Sequence, residues 1–231
     1  MELIQRINIL AQWMFDAEKL VVFTGAGIST ESGLSDFRGP DGLWTRKARG
    51  LPAKAMDWSA AEPNEGHMAI VELQDLNKLK FLISQNVDNL HLKSGIRIEL
   101  LAELHGNITK IRCTRCGFKM DNFNEPILCP ECGGEMVTSV VDFGQPLPEK
   151  DFNDAIKHSH DCDLFLVIGS SLVVYPAADM PELAKNSGAR LVIINEGETP
   201  LDNQAHLRFN ETISSVLPPA VNRLKQLLKS A

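Results

Sequence analysis

The chain predicts an α/β fold, a Rossmann-like doubly wound parallel sheet interrupted by a small inserted module, and three observations carry that expectation. Short apolar runs of strand length recur along the 231 residues, segments of helix length separate them, and one stretch breaks the rhythm with two Cys-x-x-Cys pairs. Strands alternating with helices pack as a parallel sheet covered on both faces. We therefore expect a Rossmann-like domain over 1–108 and 138–231, with a zinc-binding insertion over 109–137.

In chain order, Leu3, Ile4, Ile7, Leu10, Ala11 and Met14 recur at helical spacing and predict an amphipathic opening helix lying on the sheet. The apolar run from Lys19 to Thr24 then reads as a buried parallel strand entering Gly25-Ala26-Gly27. Gly25 and Gly27 let the backbone approach a pyrophosphate, and Ser29 and Thr30 offer hydroxyls near a helix N-terminus. Thr30 stands where a dinucleotide fingerprint has its third glycine, and no acidic residue closes a second strand about 20 residues on, which weighs against hydride transfer. Further strands are expected at Phe81 to Ser84, Leu164 to Ile168 and Leu191 to Ile194, with helices at Gly66 to Leu79, Pro148 to His158 and Ala177 to Asn186. The polar cluster Gln85-Asn86-Val87-Asp88-Asn89-Leu90-His91 follows a strand directly, where α/β sheets bind ligands; a capped turn would use Asn86 and Asp88 equally well.

The cysteines are the sharpest signal. Cys113-Thr-Arg-Cys116 and Cys129-Pro-Glu-Cys132 place two thiolates on each of two tight turns, the donor set of one closed tetrahedral Zn²⁺ shell that leaves no position for catalysis. Two disulfides are the alternative. Glu2, Arg6, Asp16, Glu18 and Lys19 interrupt the opening segment where a secretory leader needs apolar residues, so a reducing, cytoplasmic setting is expected and metal is favoured. Cys162, at the start of a strand, reads as a packing residue. A formal net charge of -7 argues against nucleic-acid binding and suits a basic partner such as a lysine-bearing peptide, and no segment reads as a membrane span.

Taken together, Gly25-Ala-Gly-Ile-Ser-Thr-Glu-Ser-Gly-Leu-Ser-Asp-Phe-Arg-Gly39, Gln85-Asn-Val-Asp88, His105-Gly-Asn107, the paired cysteines, Gly169-Ser-Ser171 and Val174-Tyr-Pro176 resemble the sirtuin family of NAD-dependent protein deacylases, in order from about residue 19 to 218. Gly42-Leu-Trp-Thr45 through Arg49-Gly-Leu51 most resembles the branch with nuclear members that remove long acyl groups and transfer ADP-ribose.

The resemblance implies NAD as a consumed co-substrate, one structural zinc and acyl-lysine peptides or proteins as partners. The acyl-lysine carbonyl oxygen would attack the ribose carbon bearing nicotinamide, and the acyl group would end on ADP-ribose. His105 is then the general base, for which an imidazole of near-neutral pKa is suited. Asp88 would hold the nicotinamide carboxamide and Asn86 the ribose and a water. Phe37 would shield the reactive ribose face and Arg38 lie near the pyrophosphate. Ala26, Trp44, Gln85, Gly169, Ser170, Ser171, Asn195 and Glu196 complete the implied cofactor contacts, the last two being open to an ordinary strand-end reading. The peptide would add as a strand between Val140–Gly144 and Ser171–Pro176, with Val141, Phe143, Gly144 and Val173 beside the acyl chain. Asp142, where the family often has a bulky residue, and Gln145, where it often has Glu, bear on peptide preference. The competing expectations are a mono-ADP-ribosyltransferase or NAD hydrolase, and a non-catalytic NAD-sensing module.

Overall fold

A computed structural model describes residues 1–54, 57–58, 60–122 and 128–230, so residues 123–127 of the expected insertion lie outside the described residues. The opening helix α1 (Leu3–Asp16) leads into β1 (Leu20–Thr24), a 3-10 helix at Ala26–Ser32, α2 (Leu43–Ala48), α3 (Glu65–Asp75) and β2 (Leu79–Ser84). Then come α4 (Leu90–Ser94), β3 (Leu101–Glu103), β4 (Lys110–Cys113), β5 (Lys119–Asp121) and β6 (Met136–Thr138). The chain closes with α5 (Glu149–Asp161), β7 (Leu164–Ile168), α6 (Asp179–Asn186), β8 (Arg190–Ile194), β9 (Leu207–Phe209) and α7 (Ile213–Ser230).

Among the described residues the main sheet is parallel throughout, in the order β3-β2-β1-β7-β8-β9. Alternate side chains of one strand serve opposite faces. Val22 packs with α1, α3 and α7 around Leu10, Ile70 and Leu217, whereas Val21 and Phe23 pack with α5 and α6 around Ala155 and Met180. Burial on both faces is why the strands read as unbroken apolar runs. The order reverses between β1 and β7, and at such a switch point the loops leaving the two strands diverge and open a crevice at their carboxyl ends.

Two details differ from the sequence expectation. The helix expected over Gly66 to Leu79 ends at Asp75, because Asn77 takes a left-handed conformation (φ 56°) and Leu79 already pairs with Leu20 in the sheet. The turn after β1 opens a 3-10 rather than an α-helix, closed by Gly33 at φ 86°.

A second, antiparallel sheet of order β5-β4-β6 carries the cysteines. Gly117 and Gly133 each donate their N–H to the carbonyl of the first cysteine of a pair, at 3.1 and 2.8 Å, closing the two tight turns.

Candidate functional site

The carboxyl ends of β1, β2, β3 and β7 converge on one crevice. Gly27 donates its N–H to the Gly169 carbonyl at 2.8 Å, and a Cβ on Gly27 would fall 2.7 Å from the Gly169 Cα, so only glycine lets these two loops touch. Ser170 Oγ accepts from Gln85 Nε2 at 2.7 Å, joining the end of β7 to the polar cluster after β2. Thr30 spends its hydroxyl on the Gly27 carbonyl (2.9 Å).

That cluster is tightly made. Ser29 Oγ donates to Asp88 Oδ2 at 2.6 Å, Asn86 Nδ2 reaches Ser29 Oγ at 3.1 Å and Asp88 Oδ2 at 3.2 Å, and Leu90 N–H donates to Asp88 Oδ1 at 2.9 Å. The bond from Leu90 is the capped turn that the bare sequence allowed. Asn86 and Asp88 are buried, so this polar knot lies in the floor of the crevice and orients its own members.

His105 stands on the turn between β3 and β4, half-buried, with Nδ1 2.9 Å from the Gln85 carbonyl. A carbonyl only accepts, so Nδ1 carries the hydrogen and Nε2 keeps its lone pair. Burial pushes the imidazole below its ordinary pKa, and the bond to Gln85 opposes this only in part. The ring is therefore neutral at pH 7 and basic at Nε2. Gly106 follows at φ 79°, and a Cβ there would collide with the Ser139 carbonyl at 1.9 Å.

The segment Asp36 to Trp44 is folded back by Leu43 N–H to the Asp36 carbonyl (2.9 Å) and Trp44 N–H to the Phe37 carbonyl (2.8 Å). Phe37 and Trp44 rings sit 6.2 Å apart and, with Leu43, Lys47, Leu51 and Ala53, line a cavity of about 270 Å³. Arg38 is exposed and makes no ion pair among the described residues. Val141 donates its N–H to the His105 carbonyl at 3.0 Å, tying the start of the Val140–Gly144 segment to the His105 backbone. Val173 and Phe143 are both exposed, Phe143 at 80%. Asn195 and Glu196 follow β8 directly, and the Asn195 amide donates to the Gly197 carbonyl at 2.8 Å. Ala26 and Ser171 fall in the glycine turn and the strand-end loop of β7.

The four cysteine sulfurs all lie within 4.8 Å of one another, with Cys113 to Cys132 at 3.5 Å and Cys116 to Cys129 at 3.6 Å. Sulfurs about 2.3 Å from a tetrahedral zinc are separated by nearly that distance, so the donor set fits the metal, and disulfides, which join sulfurs at about 2.05 Å, are absent among the described residues. Cys162 is buried against the core with its thiol on the Ser159 carbonyl, and burial pushes its pKa up to about 12, as suits a packing residue. Sequence reasoning missed the hub role of Asn107, fully buried beside His105; its place in His105-Gly-Asn107 was the only signal.

A doubly wound sheet with a polar crevice at its switch point and a four-cysteine insertion defines an α/β protein of Rossmann type whose four thiols are arranged to hold a structural metal. The model of the Sir2 family matches residues 50–176, and the chain belongs to that family, the sirtuins. It is 40% identical over 242 residues to NAD-dependent protein deacetylase 1 of Bradyrhizobium diazoefficiens, covering 93% of this chain and 95% of that protein. It is 40% identical over 226 residues to NAD-dependent protein deacetylase SRT1 of Oryza sativa subsp. indica, covering 92% of this chain but 47% of that protein, so it spans about half the length of the plant relative. A solved structure described as Sir2-p53 peptide-NAD+ superposes with a TM-score of 0.76 at 31% identity over the whole of both chains.

Proposed function

We propose that this chain is an NAD-dependent protein-lysine deacylase in which His105 is the general base. The observation that carries the reading is the tautomer of His105, a neutral imidazole whose Nδ1–H is spent on Gln85 and whose Nε2 is free to take a proton. NAD fits the crevice because the buried Ser29–Asn86–Asp88 knot offers fixed polar groups at the carboxyl ends of the strands, and the Gly27–Gly169 contact holds the β1 and β7 loops together beside it. When bound, NAD supplies the electrophilic ribose carbon and the leaving nicotinamide. Asp88 orients the carboxamide, Asn86 the ribose and a water, and Phe37 with Trp44 excludes bulk solvent. His105 Nε2 accepts the proton of a ribose hydroxyl, and Arg38 offers a free planar cation for phosphate oxygens. Gly25, Ala26, Gly27, Ser29, Thr30, Gln85, Gly169, Ser170, Ser171, Asn195 and Glu196 are assigned to the cofactor side.

The peptide pairs by strand addition between Val140–Gly144 and Ser171–Pro176, with Val141, Phe143, Gly144 and Val173 beside the acyl group. Zinc on Cys113, Cys116, Cys129 and Cys132 closes the insertion over 109–137 and takes no part in chemistry; the remaining 1–108 and 138–231 form the Rossmann-like domain. The acidic composition supports a protein without direct sequence-specific nucleic-acid binding, and paired cysteines read as metal ligands support a cytoplasmic setting; among the described residues no helix is long and apolar enough to cross a membrane.

Intact mass of an acetyl-lysine and a myristoyl-lysine peptide after incubation with NAD, with nicotinamide quantified, tests the reading. Loss of the acyl mass matched by nicotinamide release, abolished in His105→Ala, is expected. Nicotinamide release with both peptides still acylated would replace it with ADP-ribosyl transfer or NAD hydrolysis, and full turnover by His105→Ala would remove His105 from its role.

A further inference from the structure

We propose that Asn107, Glu103, Asp151 and Lys119 form a brace through which the cysteine-bearing insertion fixes the turn that carries His105, which makes these four positioning residues; the inference rests on the deacylase reading of that turn. The main sheet ends at β3 and the small sheet begins at β4, so the His105 turn is the joint between two sheets that share no strand. A joint of a few residues is stiff only if something beyond its backbone holds it.

Asn107, fully buried two residues past His105, uses every polar atom it has. Its Nδ2 donates to Glu103 Oε1 at 2.6 Å and to Asn89 Oδ1 at 2.8 Å, while its Oδ1 accepts from Thr109 N–H at 2.9 Å and Thr109 Oγ1 at 2.8 Å. Its backbone N–H donates to Ser139 Oγ (2.9 Å), and its carbonyl accepts from the Ser139 hydroxyl (2.7 Å) and from Lys110 N–H (3.1 Å). Thr109 and Ser139 are the two roots of the insertion, and Asn89 adjoins Asp88. Entry, exit and crevice floor are thus tied to one amide.

The second link reaches out to β5. Lys119 Nζ lies 2.6 Å from Asp151 Oδ2, whose side chain is 12% exposed, and Asp151 Oδ1 accepts the backbone N–H of Glu103 at 3.1 Å. Glu103, the last residue of β3, is therefore held at its backbone by α5 and at its carboxylate by Asn107. A solvated surface pair would leave one carboxylate oxygen to water, whereas Asp151 commits both and is largely covered. Displacing a general base by about 1 Å costs up to a hundredfold in rate, so slack in this joint is read directly in turnover.

Lys119→Met and Lys119→Arg test the brace through zinc content, the separate kcat and KM values, and the imidazole resonance of His105 titrated by NMR. Lys119→Met is expected to keep its zinc and its KM values within about twofold, to lose about tenfold in kcat and to move the His105 titration; Lys119→Arg should recover most of both. A zinc-loaded Lys119→Met with unchanged kcat and unchanged His105 titration overturns the proposal. Should Lys119→Met fail to hold zinc, Asn107→Ser is judged by the same readouts. If the wild-type chain deacylates no peptide, the deacylase reading falls while the His105 titration still decides whether the brace acts on that ring.

Discussion

His67 and His91 place two buried imidazoles with ring centroids 5.1 Å apart behind the crevice floor, one on α3 and one on α4. Asn64 N–H donates to His67 Nδ1 at 3.3 Å, and His91 Nε2 meets Thr24 Oγ1 at 2.8 Å. Burial pushes His67 down to about 4, with the charge of Asp88 pulling the other way, and burial and then His67 push His91 well below its ordinary value. Both are neutral in the fold and take up protons on unfolding below about pH 6.5, so the unfolded chain binds more protons and stability falls as the pH drops from about 6.5 toward 4. For His67 alone the loss approaches something on the order of 3 kcal/mol at the acid end. Urea unfolding at pH 7, 5.5 and 4.5 should show that slope, and His67→Gln should flatten it; an equal slope in the variant would mean that the ring is not held neutral. Catalysis is expected to fail on the same, acid side. Because His105 is also pushed down, kcat/KM should stay level to a pH below 6.5 and decline only under it, and a decline centred above 7 would contradict the neutral Nε2 base. The mutual contact of His67 and His91 joins elements far apart along the chain, and no local pattern encodes it.

Elements buried on both sides announced themselves, and those defined by their neighbours did not. β1, β2, β7 and β8 read as apolar runs because helices cover both faces. β3 and β9 are three residues each and carry no period that distinguishes them from loop. The helix over Gly66 to Leu79 was read too long because Leu73, Leu76 and Leu79 continue its spacing, while Asn77 at positive φ breaks the backbone regardless. α7 went unread although it packs on α1 and α3, its Pro218-Pro219 pair standing where a helix pattern ordinarily stops. Its weight can be measured. Leu217 is fully buried in that layer, so Leu217→Ala should lower unfolding stability by about 2–5 kcal/mol without altering zinc content, and a change under about 1 kcal/mol would mean that α7 is an appendage rather than part of the core.

Across the whole molecule the Cys-x-x-Cys spacing made the metal centre legible, since tetrahedral thiolate geometry needs those short turns, whereas the brace from Lys119 to Asp151 depends on how two sheets meet in space. Removing zinc with a chelator should unfold the insertion and abolish turnover together, because metal affinity and folding of such a site are one free energy. Full activity with zinc well below one per chain would separate the two. The strand order has a temporal counterpart. β1 is made early, yet its partner β7, with Thr24 paired to Ile168, is more than half the chain away, while all four cysteines lie within one short stretch between them. On a ribosome releasing the chain from its N-terminus, the short loop of the insertion is complete, and able to close on an ion, before the central strand has its second neighbour and before the crevice exists.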